Sequence, residues 1–220
     1  MSREPNPAAG PRSSKTSRND ASRSAQAGSR KHWARRFAVG VAAWLLPVAV
    51  VWVILTPYYN NFLTKAAERL VRLTERPAVT RLHVHDPHHL VITRTDYSIP
   101  GKPWLYSIRT TDTHFPLIML GAFFLAVPGI GWRKRLENLG WAVLISVFFH
   151  IVSLFFRVKF VYATQLGAWS IEHYGSLGRN FWGLSSHLLE VPFKFALPFV
   201  LWAAFYVRLL LPDRGGPTVE

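Results

Sequence analysis

Four long apolar runs divide the chain. The first, Phe37 to Thr56, reads FAVGVAAWLLPVAVVWVILT and carries no charge. Phe115 to Trp132, Leu139 to Phe156 and Val191 to Leu211 follow, the last with Lys194 near its start and Arg208 near its end. At about 1.5 Å per helical residue, a run of roughly 20 residues crosses about 30 Å of hydrocarbon. The pattern predicts a mainly α membrane protein with four transmembrane helices, at 37–56, 115–132, 139–156 and 191–211. Pro47, Pro128 and Pro198 would kink such helices without abolishing them, because neighbouring helices can satisfy the freed carbonyls. A cleaved signal peptide does not fit the first run. The segment before it is too long, and the run ends in Pro57-Tyr58-Tyr59-Asn60-Asn61 where a small-residue cleavage site would stand.

The segments between the runs show shorter periods. From Asn60 to Arg76, Phe62, Ala66, Leu70 and Leu73 fall on one helical face, and Lys65, Glu68, Arg69, Arg72 and Glu75 cover the rest. This helix would either continue the first span or lie along the membrane surface, and Pro77 ends it. Thr80 to His85 then alternates, His89 to Thr95 is rich in β-branched residues, and Trp104 to Thr111 alternates again. Asp86-Pro87 and Pro100-Gly101-Lys102-Pro103 are turn material. Residues 57–114 are therefore expected to hold a helix and a small β-meander of two or three strands. Such a unit has a poor core of its own and should lean on the helix before it or on a partner. Residues 157–190, with Gly167, Gly175, Gly178 and Gly183 among aromatics, read as an interfacial loop with a short helix.

Charge sets the orientation. Half of the residues are hydrophobic and only 17% are charged, yet the formal net charge is +14. Residues 1–36 are basic and rich in Ser, Ala, Asn and Gly, a composition that predicts a disordered tail. The tail lacks the interleaved aromatics on which bases stack, so no nucleic acid is expected as a partner. Membrane lipid is expected, since basic residues near an anionic surface are attracted to it. Arg133, Lys134 and Arg135 lie in the short loop 133–138. Basic residues in short loops mark the cytoplasmic side. Both basic segments then agree, which leaves 57–114 and 157–190 on the outer side and the tail 212–220, like the N-terminus, in the cytoplasm.

Candidate chemistry is sparse. The chain has no Cys, which excludes disulfides, thiolate metal sites and a cysteine nucleophile. No P-loop or dinucleotide fingerprint is present, and no cofactor is expected. His83, His85, His88 and His89 surround Asp86. The cluster looks somewhat like the HxHxDH metal signature, but the Asp stands one position early and Pro87 occupies its place, so no metal is expected there. Ser146, His150, Ser153 and Arg157 share one helical face of the third run, an intramembrane polar stripe. His187, Glu190 and Lys194 share a face at the start of the fourth, with Glu190 placed to pair with Lys194. Together with Arg157, Lys159 and Arg179 they would form an outward-facing patch for a partner or an anion. Ser186 and His187 are adjacent on a helix and point about 100° apart, which is no catalytic arrangement.

One layout stands out. A single N-terminal span ends in Leu55-Thr56-Pro57-Tyr58-Tyr59, and a small β-containing segment follows. Next come Pro116-Leu117-Ile118-Met119-Leu120, Ala126-Val127-Pro128-Gly129 and Trp132-Arg133-Lys134-Arg135-Leu136. This layout resembles the exosortase H-associated membrane protein family. Exosortases are inner-membrane enzymes of Gram-negative bacteria with a Cys, Arg and His site, which process proteins bearing a C-terminal sorting helix. The resemblance implies a non-enzymatic, multi-pass accessory protein of the bacterial inner membrane, with an exosortase or its sorting-signal substrates as partners. Without a Cys no catalytic residue carries over. A hydrolase acting at the outer face and a carrier subunit are the alternatives.

Overall fold

The structure, a computed structural model, describes residues 14–86, 88–99, 102–109 and 114–210, with backbone only at 14–30, 98–99, 102–103 and 208–210. It is mainly helical. Helix α1 (Ser14–Leu73) runs for 60 residues, about 90 Å. Strands β1 (Thr80–Asp86), β2 (His89–Ile99) and β3 (Lys102–Arg109) form one antiparallel sheet in the order β1-β2-β3. Helices α2 (His114–Ala126), α3 (Trp132–Thr164), α4 (Ala168–His173) and α5 (Ser176–Leu188) follow. A π turn (Leu189–Phe193) joins α5 to α6 (Lys194–Leu210). Three helical stretches are long and apolar enough to cross a membrane: Lys31–Leu73, Trp132–Thr164 and Ser176–Val207.

Three expected boundaries shift, one of them being the loop expected at 133–138, which forms the first turns of α3 because Pro128 and Gly129 have already made the turn. Residues 14–36, expected as part of a disordered tail, are helical, and residues 1–13 lie outside the described residues. Once a long apolar helix has formed, extending it avoids the cost of a new nucleus. Ala, Arg, Lys and Gln favour that extension, and no Pro intervenes between Ser14 and Pro47. The second apolar run is helical for only 13 residues and stops at Ala126, six residues before the expected Trp132. Pro128 cannot donate to the helix, and Gly129 takes a φ of +83°, open to Gly at no steric cost. Arg135 secures this stop by donating to the carbonyls of Leu125 (2.7 Å) and Ile130 (2.9 Å). A cation there meets the carbonyls that the helix end leaves unpaired.

Small residues bring α1 and α2 close. Ala126 packs on Gly40, and Gly121 packs on Val48, where an added Cβ would lie 2.8 Å from Val48 Cγ1. Around this contact, Leu117, Leu120, Phe123 and Phe124 of α2 meet Ala142 of α3 and Leu201 and Tyr206 of α6 in one core.

A second core lies at the other end. Leu63, Ala67 and Val71 of α1, Leu82, Leu90, Ile92, Trp104 and Ile108 of the sheet, and Leu154, Val158, Val161 and Tyr162 of α3 pack together. The sheet thus leans on both long helices. For that reason 157–190 is mostly helix: α3 runs on to Thr164 to bury its last turns there, and α4 and α5 occupy most of the remainder. The buried stripe of α3 passes through Asn138, Ala142, Ser146, His150, Leu154, Val158 and Tyr162. A four-residue repeat advances about 40° per step around a 3.6-residue helix. The stripe therefore winds, so that one helix serves both cores.

Outside the cores, large apolar side chains stay exposed along all three long helices, among them Leu46, Val53, Ile54, Phe148, Phe199 and Val200. Leu46 is 72% exposed and Phe148 69%.

Candidate functional site

Between the two cores α3 faces the junction of α5 and α6. Spacings of three and four put His150, Ser153 and Arg157 on one face of α3. Ser186, Glu190 and Lys194 repeat every four residues on the other side, and all six line one cavity of about 50 Å³. Arg157, Ser186, Glu190 and Lys194 also wall a wider groove of about 570 Å³, together with His187, Phe160, Val191 and Phe195. Glu190 sits in the π turn, which also holds Pro192. A proline lacks the N–H that an α-helix would use, and the wider turn absorbs the mismatch.

The ion pair that ties the site together joins Arg157 to Glu190 across the helices. Both side chains keep about a third of their surface open (30% and 36%), so the pair is worth about 0–1 kcal/mol. Lys194 is only 7% exposed, and its ammonium lies 5.3 Å from the Phe195 ring centre. In the wider groove two cations against one carboxylate leave one positive charge in excess, and Arg109 adds a third cation to the lining of the inner cavity. The Arg157 Nε is buried without a hydrogen-bond partner among the described residues.

His150 forms the floor. It is 1% exposed, and its Nδ1 lies 2.6 Å from the Tyr59 hydroxyl. Its Nε2 has no partner among the described residues. Trp52 and His114 pack around Tyr59, with ring centres 5.0 and 6.1 Å away. Ser153 and Ser186 line the same cavity, but no hydrogen bond joins either to His150 among the described residues. A cavity of about 50 Å³ admits a few waters, each needing roughly 10–15 Å³ by this measure.

The structure thus joins His150, Ser153 and Arg157 of the expected stripe to Glu190 and Lys194 of the expected patch, and adds Ser186. His187 lines the groove but not the inner cavity. The remaining expected residues lie elsewhere. Ser146 is buried lower on α3. Lys159 is buried with its ammonium 5.8 Å from the Phe155 ring, and Arg179 lines a separate groove with Asn180 and Thr164. His83, His85 and His89 line a shallow hollow on the sheet's outer face with Val91 and Leu105. Asp86 is taken up locally: its Oδ1 accepts from the His88 N–H at 2.7 Å, and the His89 Nδ1 lies 3.0 Å from its Oδ2. The His88 N–H, foremost, holds the Asp86 carboxyl below its ordinary value. Among the described residues, no group of three His, Asp or Glu is placed to hold a metal ion.

Several residues matter that periodicity did not single out. Glu75 accepts from the Thr80 N–H (3.1 Å) and the Thr80 hydroxyl (2.6 Å), and Glu68 accepts from the Leu82 N–H (3.0 Å). Glu68 of α1 and Glu75 just beyond its end thereby close the outer edge of β1, which would otherwise present unpaired donors. Arg94 stacks over the rings of Tyr162 (4.6 Å) and Trp169 (4.4 Å) and grips Asp96 through two nitrogens, at 2.9 and 2.7 Å. The hydrogen bonds from Arg94 hold the Asp96 carboxyl below its usual range. Only the seven-residue spacing of Glu68 and Glu75, set against the two-residue spacing of Thr80 and Leu82, hints at this in the sequence. No protein-family model, curated protein or solved structure matches the chain.

Proposed function

We propose that this chain is a non-enzymatic, multi-pass accessory protein of the bacterial inner membrane, acting in an exosortase-type protein-sorting system with both termini in the cytoplasm. The membrane part of the reading rests on the large apolar side chains left exposed along three helices that are long and apolar enough to cross a membrane. Helix α2 supplies the fourth crossing together with the turn behind it. The turn's Val127 is fully buried, and non-helical backbone is tolerated at membrane depth where protein surrounds it.

The accessory role is carried by one observation: α1 and α3 run on without a break into the core that mounts the sheet. That architecture holds a small β surface at a fixed place beside the membrane, as a partner-contacting protein requires. The order of segments along the chain supports an exosortase as that partner. The hydrolase alternative draws on the Tyr59–His150 contact and the two serines beside it.

Cells lacking this protein, and carrying a substrate with a C-terminal sorting helix, would separate the two. Substrate processing should fail without the protein. It should return both with the wild-type chain and with a variant carrying His83→Ala and His150→Ala. An abundant double variant that does not restore processing would move the reading to the hydrolase. Processing that never depends on the protein would remove it from the sorting system.

A further inference from the structure

We propose that the groove between α3 and the α5–α6 junction binds one phosphodiester group, that of an anionic phospholipid, with an acyl chain lying along Val191 and Phe195. This rests on the membrane reading above and adds a ligand to it. Three observations carry it. The first is charge: Arg157 and Lys194 against Glu190 leave one positive charge in excess, which a phosphodiester monoanion cancels. The second is donor geometry. Glu190 takes one end nitrogen of the Arg157 guanidinium, while the buried Nε has no partner among the described residues. A guanidinium offers donors in a planar fork that matches phosphate oxygens. The third is the lining, where cationic groups give way to Val191 and Phe195 along one wall. That division suits an amphiphile better than a free anion.

Depth agrees with the chemistry. Counted from Leu139, beyond the charged residues 133–138, about 20 residues of α3 span a hydrocarbon core and reach about Val158. Arg157 therefore stands at the outer edge of the hydrocarbon, from where its long side chain reaches the headgroups. Lys194 opens α6 and faces the same groove. Cations at that depth meet phosphate oxygens through charge-assisted hydrogen bonds. The inner cavity, at about 50 Å³, is too small for a headgroup and leaves the wider groove as the seat.

The test uses the full chain extracted in mild detergent and stripped of lipid. Phosphatidylglycerol, phosphatidylcholine and inorganic phosphate are added separately, with binding read by native mass spectrometry and thermal unfolding. Phosphatidylglycerol should bind at one per chain and raise the unfolding temperature, well ahead of phosphatidylcholine. Lys194→Gln should weaken that binding about tenfold, the scale of one charge-assisted contact. Arg179→Gln, on a neighbouring groove, should leave it unchanged and so controls for general surface charge. Where Lys194→Gln unfolds, Arg157→Lys serves instead, keeping the charge and losing the fork. Equal binding of both lipids, or binding unmoved by these substitutions, would overturn the proposal. Protection by inorganic phosphate equal to that by phosphatidylglycerol would make the ligand a soluble anion and also overturn it. So would loss of a co-purifying protein from the Lys194→Gln variant with lipid binding intact, which would assign the cations to a partner's carboxylate. Release of the protein from membranes by an alkaline wash would instead defeat the membrane reading itself.

Discussion

At the scale of single residues, the molecule uses its few carboxylates as acceptors for specific donors. Glu190 meets Arg157, Glu68 and Glu75 meet the edge of β1, and Asp96 meets Arg94. The last pair has a consequence for pH. Arg94 lowers the folded-state pKa of Asp96, so its contribution is present above the ordinary Asp value of about 4 and is lost as pH falls through the folded value. The effect should be small, since the Asp96 side chain is 37% exposed and solvent screens it. Unfolding temperatures of the wild type and of Asp96→Asn, followed from pH 7 downward, should therefore differ at neutral pH and converge below about pH 4. A gap that stays constant across the range would show that the charge pair adds nothing. The sequence showed most of these acids only as polar positions, and for Glu190 it offered Lys194 on the same helix face, where the structure adds Arg157 across the helices. Arg94 and Asp96 share β2 two residues apart, but the partners of Glu68, Glu75 and Glu190 lie on other elements, and no periodicity within one element encodes the alignment between two.

Among elements, the pattern of apolar positions was legible because each helix reports its own buried stripe. Phe62, Ala66, Leu70 and Leu73 announced a helix before Pro77, and that segment is indeed the end of α1. The stripe was misjudged in phase, however. The residues packed in the core are Leu63, Ala67 and Val71, while Phe62 and Leu73 are exposed. Spacing alone cannot choose between two adjacent apolar faces; the sheet and α3 make the choice. The close approach of α1 and α2 was also hidden, since a glycine in an apolar run signals nothing until its neighbour is known. It leads to a contrast between two glycines. Gly121→Leu should drive a side chain into Val48 and cost roughly 1–3 kcal/mol or more, the usual range for overpacking. Gly140→Ala, where an added Cβ meets nothing within 4 Å, should be neutral or stabilising by up to about 1 kcal/mol. Thermal unfolding of the purified variants checks both. Equal tolerance of the two would show that α1 and α2 do not pack as described.

For the whole molecule, the proposed topology places both termini and the Arg133–Arg135 turn on the cytoplasmic side, with the sheet and α4 opposite. Reporter fusions after residues 20, 95, 136, 175 and 218 should report cytoplasm, outside, cytoplasm, outside and cytoplasm in turn. An outside signal at 136 or 218 would overturn the assignment, and outside signals at both, with 175 turned cytoplasmic, would point to α2 as the faulty crossing. The number of long apolar helices was partly legible: the runs are plain, but Pro128 and Gly129 shorten one of them below what composition suggested. The continuity of α1 and α3 into the outer core gives the molecule the mechanics of a truss. Two stiff members are joined near one end through α2 and at the other through the buried face of the sheet. A truss does not flex at its joints; it leans as a body. A bilayer that thickens or thins around the lower members would thus be answered by tilt, and the sheet at the far end would sweep sideways over the membrane like the tip of a lever.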